Sequence, residues 1–494
     1  MALPLYLLTK NVIITSNLLI VFTMFFSSFS MYLFAFHLTK KVLPGILASI
    51  IFVFNPFIMA RFPDQLILFS LQWIPLIFLS WEKLIKSTTI RSVYGFIFFV
   101  ALSAQLLSSL YYFVFLTVVL PIYMLLRLRQ KKASPFTFIH RGTQLGFVIF
   151  LLVTVFSAYF YDRVFSVLPI KRGMEQAAIY SAWPSDYLFT SPSNLLYGSL
   201  KEKAAMRWPQ VVRFGIYSEQ NLFGGIIPFL LLLLSFALVR RTLHNKLYLV
   251  SILLLIVSLF LSFGPSITLF GQFSVPGPYR LFYALNPLFS FLRTPARFGG
   301  FVFFFLSLIC ALTLSEIIRL TKPKTAVLIS MLIIAMLMIE YANKPLEFTH
   351  ISDDTKEFYS GLNSQKNIRV ILDYPIGNLI PYPHPNARAE DLDARYLLAA
   401  TVLHDKTLYN GYTGFLPQVY YDRANSLSID FPTEAQLTDL KSWGVDAIVL
   451  HREEFNLPAE FFRIRNELQK INVPLAISST NLAFFDLTGW KEAP

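Results

Sequence analysis

The sequence predicts an α-helical polytopic membrane domain of about ten spans, followed by a small α/β domain outside the cytoplasm. Three observations predict it. Of the 494 residues, 55% are hydrophobic and only 14% charged, well short of the quarter expected in a soluble chain. Lys and Arg sit between the apolar runs in an alternating pattern. After Tyr341 the runs stop, and short strand-like and amphipathic patterns replace them.

A bilayer core about 30 Å thick takes roughly 20 residues of apolar helix to cross. Runs that meet this need place spans at 12–38, 43–60, 66–84, 92–108, 110–126, 143–161, 223–239, 247–264, 298–318 and 325–341. The weakest break is Ser108-Ser109, where a tight turn from Ser103 to Tyr112 is the other reading. Phe occurs 50 times against 6 Trp. Its ring has no polar atom to satisfy, which suits lipid-facing and interhelix packing.

The net charge of +13 would suggest nucleic acid in a soluble protein. Here the basic residues follow alternate spans. Lys40 and Lys41 follow the first; Lys83, Lys86 and Arg91 the third; Arg127, Arg129, Lys131, Lys132 and Arg141 the fifth. Arg240, Arg241 and Lys246 follow the seventh, and Arg319, Lys322 and Lys324 the ninth. Short loops on the other side hold only Arg61. The positive-inside rule puts the basic exits in the cytoplasm, so no nucleic-acid partner is expected. Loops 162–222 and 265–297, the N-terminus and residues 345–494 then lie outside. The first apolar run is too long for a signal-peptide core and reads as a retained helix. An outside start without a signal peptide leads to the expectation of a further helix preceding Met1. The single cysteine, Cys310, excludes an internal disulfide and a Cys-cluster metal site.

The domain boundary falls at 344/345. Beyond it, Ile368–Tyr374 and Asp446–Leu450 read as buried strands, and Pro474–Ser478 with Asn481–Leu487 as a strand pair. Helical patterns cover 354–364, 394–404, 433–442 and 458–471, with Thr433 as a start and Gly444 as a stop. The alternation predicts a partly parallel sheet. The stretch 376–393, with His384, Glu390, Asp391 and Asp393, matches no metal-ligand spacing and reads as a solvated loop.

Five segments carry a resemblance. They are Tyr32-Leu33-Phe34-Ala35 with Phe54-Asn55-Pro56-Phe57; Gln72-Trp73-Ile74-Pro75 with Leu106 to Tyr112; Ser185-Asp186-Tyr187-Leu188 with Ser191-Pro192; Phe291 to Phe298; and Asn410 to Pro417. In their order and topology they resemble bacterial polytopic membrane proteins of the GT-C glycosyltransferase-like superfamily. The resemblance implies hexosyl or pentosyl transfer from a polyprenyl-phosphate-linked sugar to a cell-envelope acceptor, at the outer face of the plasma membrane. Its partners would be membrane lipid and the lipid-linked sugar, and it leaves a divalent metal open as cofactor. GT-C enzymes usually carry an acidic residue in the first outer loop, and this chain begins about where that loop would end. A catalytically incomplete relative is therefore one expectation. A non-enzymatic transporter or flippase for a lipid-linked glycan, or an envelope assembly protein, is the rival. Span interiors almost free of charge favour a surface-acting protein over an ion-coupled carrier.

Such a transfer needs a base, a cationic seat for the leaving phosphate and an apolar groove. Arg293 and Arg297 flank Thr294-Pro295-Ala296, so a Pro-started helix with a guanidinium in its first turn offers a phosphate seat; interfacial anchoring is the plainer reading. Asp64, Asp186 and Glu219 are the candidate acids. The plainer readings are a local Arg61–Asp64 pair and solvated or capping carboxylates. Tyr111 and Tyr112, like Trp183 and Trp208, suit stacking on a sugar ring or an interfacial aromatic belt equally. Asn410 to Pro417 lacks the lysine of a phosphate-binding loop, so its glycines read as turn formers.

Overall fold

The computed structural model describes the chain apart from residues 1, 86–90, 132–139, 168–172, 209–216, 240–244, 270, 272, 347–350, 377–388, 412–417, 456 and 492–494. It divides into two compact units, Met1–Pro345 and Leu346–Pro494.

The first unit is helical, and the protein is a multi-pass membrane protein. Among the described residues seven helices are long and apolar enough to cross a bilayer: Val12–Thr39, Val42–Met59, Leu66–Leu84, Leu110–Gln130, Arg141–Arg163, Pro295–Leu320 and Pro323–Glu340. Three shorter apolar helices, Ser92–Ser108, Ile226–Leu238 and Lys246–Ser262, lie where the other expected spans fall. The break at Ser109 is sharp, with helices Arg91–Ser108 and Leu110–Lys131 on either side. Trp73 Nε1 donates to Ser108 Oγ beside it at 3.1 Å.

Two spans are interrupted. Helix Val42–Val53 stops and Pro56–Met59 restarts because Asn55 caps the new turn: its Oδ1 accepts the Ile58 N–H at 3.0 Å while its amide donates to Phe52 O at 2.8 Å. Pro56 follows with φ pre-set for a first helical turn. The next span likewise breaks between Leu66–Phe69 and Ile74–Leu84, around Gln72-Trp73.

Helix Gly299–Leu320 is the central pillar, buried continuously from Gly299 to Glu316. Its phenylalanines explain much of the Phe count. Phe304 stacks on Phe34 with ring centroids 5.9 Å apart, meets Phe78 at 4.8 Å and takes Phe52 edge-on at 5.8 Å. Each such pair contributes about 0.5–1.5 kcal/mol beyond its area. Gly299 allows the close approach at the helix start. A Cβ there would lie 2.5 Å from Leu222 Cδ2 and 3.1 Å from the Phe57 ring.

Charged side chains are buried at the ends of the spans. Glu82, fully buried, takes Arg127 through two contacts, Nε to Oε1 at 2.6 Å and a terminal nitrogen to Oε2 at 3.0 Å. Tyr123 donates to the same carboxylate at 2.9 Å. Glu340, at the end of Pro323–Glu340, accepts the backbone N–H groups of Ile226 and Ile227. It thereby satisfies the free donors that open helix Ile226–Leu238. Gly225, with φ +94°, permits this, since a Cβ there would sit 2.9 Å from Glu340 Oε2.

The second unit is an α/β domain. Numbering all strands along the chain, β1 (Ser266–Leu269) and β2 (Phe273–Pro276) form an antiparallel ribbon in the first unit. Strands β3 (Val370–Tyr374), β4 (Thr407–Leu408), β5 (Ala447–His451), β6 (Leu475–Ser478) and β7 (Leu482–Asp486) form the sheet, ordered β4-β3-β5-β7-β6. Strand β3 pairs parallel with β4 and β5, and β7 pairs antiparallel with β5 and β6. Helix Ala389–Val402 packs on one face through Ala399, with Phe358 and Leu362. Helices Gln418–Ser428 and Glu434–Ser442 pack on the other through Leu427, Leu437 and Leu440. Thr433 and Gln436 make a reciprocal capping box, with Thr433 Oγ accepting at 3.3 Å and the Thr433 N–H donating at 2.9 Å.

Candidate functional site

The start of the central helix positions the site. Pro295–Phe298 forms a single 3₁₀ turn that feeds into Gly299–Leu320. Phe298 locks the turn by stacking on Phe115 at 3.8 Å. The turn aims Arg297 inward, where its Nε donates to Glu219 Oε1 at 2.9 Å and a terminal nitrogen lies 2.8 Å from the same oxygen. Arg61, in the short loop restarted by Asn55-Pro56, pairs with the other oxygen of Glu219. It also donates to the Phe57 carbonyl and lies 3.7 Å over the Phe57 ring.

One carboxylate thus holds two guanidiniums, all three of them buried. Burial alone would raise the Glu219 carboxyl, but Arg297 and then Arg61 outweigh it and hold it below the usual carboxylate range. Glu219 is therefore a weak base in this arrangement, and the cluster keeps one net positive charge.

The arginine four residues earlier is placed differently. Arg293 is half-buried, its guanidinium 4.9 Å over the Tyr180 ring, with no ion pair among the described residues. Tyr180 in turn accepts the Ala296 N–H through its carbonyl at 3.4 Å. Tyr111 is half-buried beneath Arg297, whose guanidinium carbon lies 4.3 Å from the ring centroid. Tyr112 is fully buried and donates to the Leu68 carbonyl, which removes it from sugar stacking.

The remaining acids separate by exposure. Asp186 is buried, and its Oδ2 accepts the Trp183 N–H at 2.7 Å, capping its own 3₁₀ turn. Asp64 is exposed. The expected Arg61–Asp64 pair gives way to Arg61–Glu219, because Arg61 turns into the protein. The partnership spans 158 residues of chain, so no local spacing signals it. Trp208 is half exposed. Among the described residues no group of three His, Cys, Asp or Glu side chains is placed to hold a metal ion. Residues 377–388 and 412–417 lie outside the described residues, while Glu390, Asp391 and Asp393, expected in a loop, fall in helix Ala389–Val402.

No family model matches the chain, and no curated protein matches it. Solved structures do. A cryo-EM structure of the arabinofuranosyltransferase AftD from Mycobacteria superposes with a TM-score of 0.54 at 10% identity, covering 96% of this chain and 34% of that one. Two classes of an AftD point mutant match with TM-scores of 0.52 and 0.50 at 9% and 11% identity, each over 96% of this chain and 35% of the other. The chain spans about a third of the length of that enzyme. Over nearly its whole length, then, this protein shares the fold of the arabinofuranosyltransferase AftD.

Proposed function

We propose that this protein transfers a sugar from a polyprenyl-phosphate donor to a cell-envelope acceptor at the outer face of the plasma membrane. The observation that carries the reading is Arg293, a half-buried cation without a carboxylate partner among the described residues, four residues before a cluster of net charge plus one. An acceptor hydroxyl attacks the anomeric carbon, the bond from that carbon to the phosphate oxygen breaks, and polyprenyl phosphate leaves with the electron pair. Arg293 stabilises the charge that gathers on the leaving oxygen. The acceptor proton passes to Asp64, the exposed acid among the three candidates. The loops that hold Arg61, Asp64 and Arg293 lie outside the cell, as does the C-terminal domain.

Binding of a polyprenyl-phosphate sugar to the nanodisc-embedded protein tests the seat. Arg293→Ala removes one charge-assisted contact, worth about 1.5–3 kcal/mol, so affinity should fall more than tenfold. Asp64→Asn should keep donor binding and lose transfer. Unchanged donor binding in Arg293→Ala would return this arginine to interfacial anchoring. The interrupted second and third spans favour the transport reading. A flippase would move the lipid-linked sugar across vesicles with no acceptor present.

A further inference from the structure

The C-terminal unit carries a second candidate site, in the crevice where the chain changes direction across the sheet. From β3 the chain crosses to β4 on one side and then to β5 on the other. The first crossover helix lies on one face and the later crossover helices on the opposite face. The carboxyl ends of β3 and β5 therefore part around a crevice, the place where open α/β sheets bind ligands. Asp373, near the end of β3, reaches across it to His451, the last residue of β5, with Oδ1 2.7 Å from Nε2. His451 lines a cavity of about 300 Å³.

Two buried polar atoms of this unit are without a hydrogen-bond partner among the described residues. Asp373 is 1% exposed, and its Oδ2 has no hydrogen-bond partner. His404 is buried as well; its Nδ1 accepts the Lys406 N–H at 3.2 Å, so its Nε2 carries the proton, and that donor too has no partner. Asp373 and His404 are not part of the cavity lining; Asp373 acts through His451, which is, by holding its ring.

The lining says which ligand it suits. Arg395 is tied to Glu454 at 2.7 Å and the Asn481 amide to Glu453 at 2.6 Å. With two carboxylates against one guanidinium in the described lining, a phosphate or nucleotide would be repelled. Tyr359 and Tyr396 contribute to the lining from buried positions, and Tyr396 packs on His451 with ring centroids 4.5 Å apart. Aromatic walls with carboxylate, amide and imidazole groups suit a neutral molecule bearing several hydroxyls on an apolar ring face. We propose that this crevice binds a neutral sugar unit of a glycan, held by His451, which Asp373 orients, and by the Glu453–Asn481 edge. The inference concerns binding alone and stands apart from the transfer reaction.

Isothermal titration of the full chain in nanodiscs tests it, with an arabinofuranosyl tetrasaccharide and cellotetraose as probes and AMP as the anionic control. At least one tetrasaccharide should bind saturably in the millimolar range or tighter, and AMP should not compete. Glu453→Gln, an exposed substitution, and His451→Gln should each weaken that binding at least tenfold. Arg293→Ala should leave it unchanged. The proposal fails if neither sugar binds at 10 mM (roughly the weak end of useful affinities, near −3 kcal/mol), if Glu453→Gln binds as the parent does, or if AMP displaces the sugar. Loss in Arg293→Ala alone would assign the binding to the membrane domain and also overturn it.

Discussion

With a single carboxylate between two buried guanidiniums, Glu219 is the member of its cluster whose loss should be felt most. Glu219→Gln leaves Arg61 and Arg297 as uncompensated like charges, a cost of about 3–5 kcal/mol. Arg297→Ala should cost less, because Arg61 still neutralises Glu219. Unfolding in detergent micelles orders the two variants, and a stable Glu219→Gln protein would refute the account. The same cluster sets an acid limit. The folded carboxyl lies below its ordinary value of 4.5, so its stabilisation is complete above that pH and is lost as pH falls through the lowered value. Each of Arg297, Arg293 and Glu219 stood out in the sequence, by charge beside proline or charge in a long outer loop. Which arginine would be spent on Glu219 and which left over was not legible, since 78 residues separate Arg297 from its partner.

At the scale of elements, the buried Glu82–Arg127 bridge joins Leu66–Leu84 to Leu110–Gln130. Arg127→Met alone should destabilise by about 3–5 kcal/mol, while the double change Glu82→Met with Arg127→Met should recover most of that loss. Additive single and double effects in a double-mutant cycle would rule out the coupling. The bridge escaped sequence reading because Arg127 also belongs to a basic exit and so reads as a topology signal. Apolar runs revealed most spans because length and hydropathy alone decide membrane crossing. The long strands of the sheet were visible as β-branched runs. Strand β4 was not, because two residues carry no periodicity, and helix Gln418–Ser428 follows a glycine-rich stretch that masks its start.

For the whole molecule, the alternation of basic exits is the basis of the proposed topology. Single-cysteine variants in a Cys310→Ala background should place position 400 and position 64 outside and position 245 inside. A membrane-impermeant maleimide should label the first two in intact cells and the third only after permeabilisation. Labelling of position 400 only after permeabilisation would invert the topology and with it the face of the proposed transfer.

Glu340 ties this architecture to time. Its carboxylate closes the open N–H groups at the start of a helix made 114 residues earlier. At a synthesis rate of about 5–20 residues per second, that helix waits roughly 6–23 s for its cap. During that interval helix Ile226–Leu238 lies in the nascent chain with unmet donors at its start. Insertion of Pro323–Glu340 is then more than the addition of another helix: it is the event that completes an earlier one. A ribosome stalled before residue 340 would leave the start of Ile226–Leu238 open to whatever water, chaperone or translocon surface can offer an acceptor. Helix Pro323–Glu340 thereby completes the hydrogen bonding of a helix made well before it.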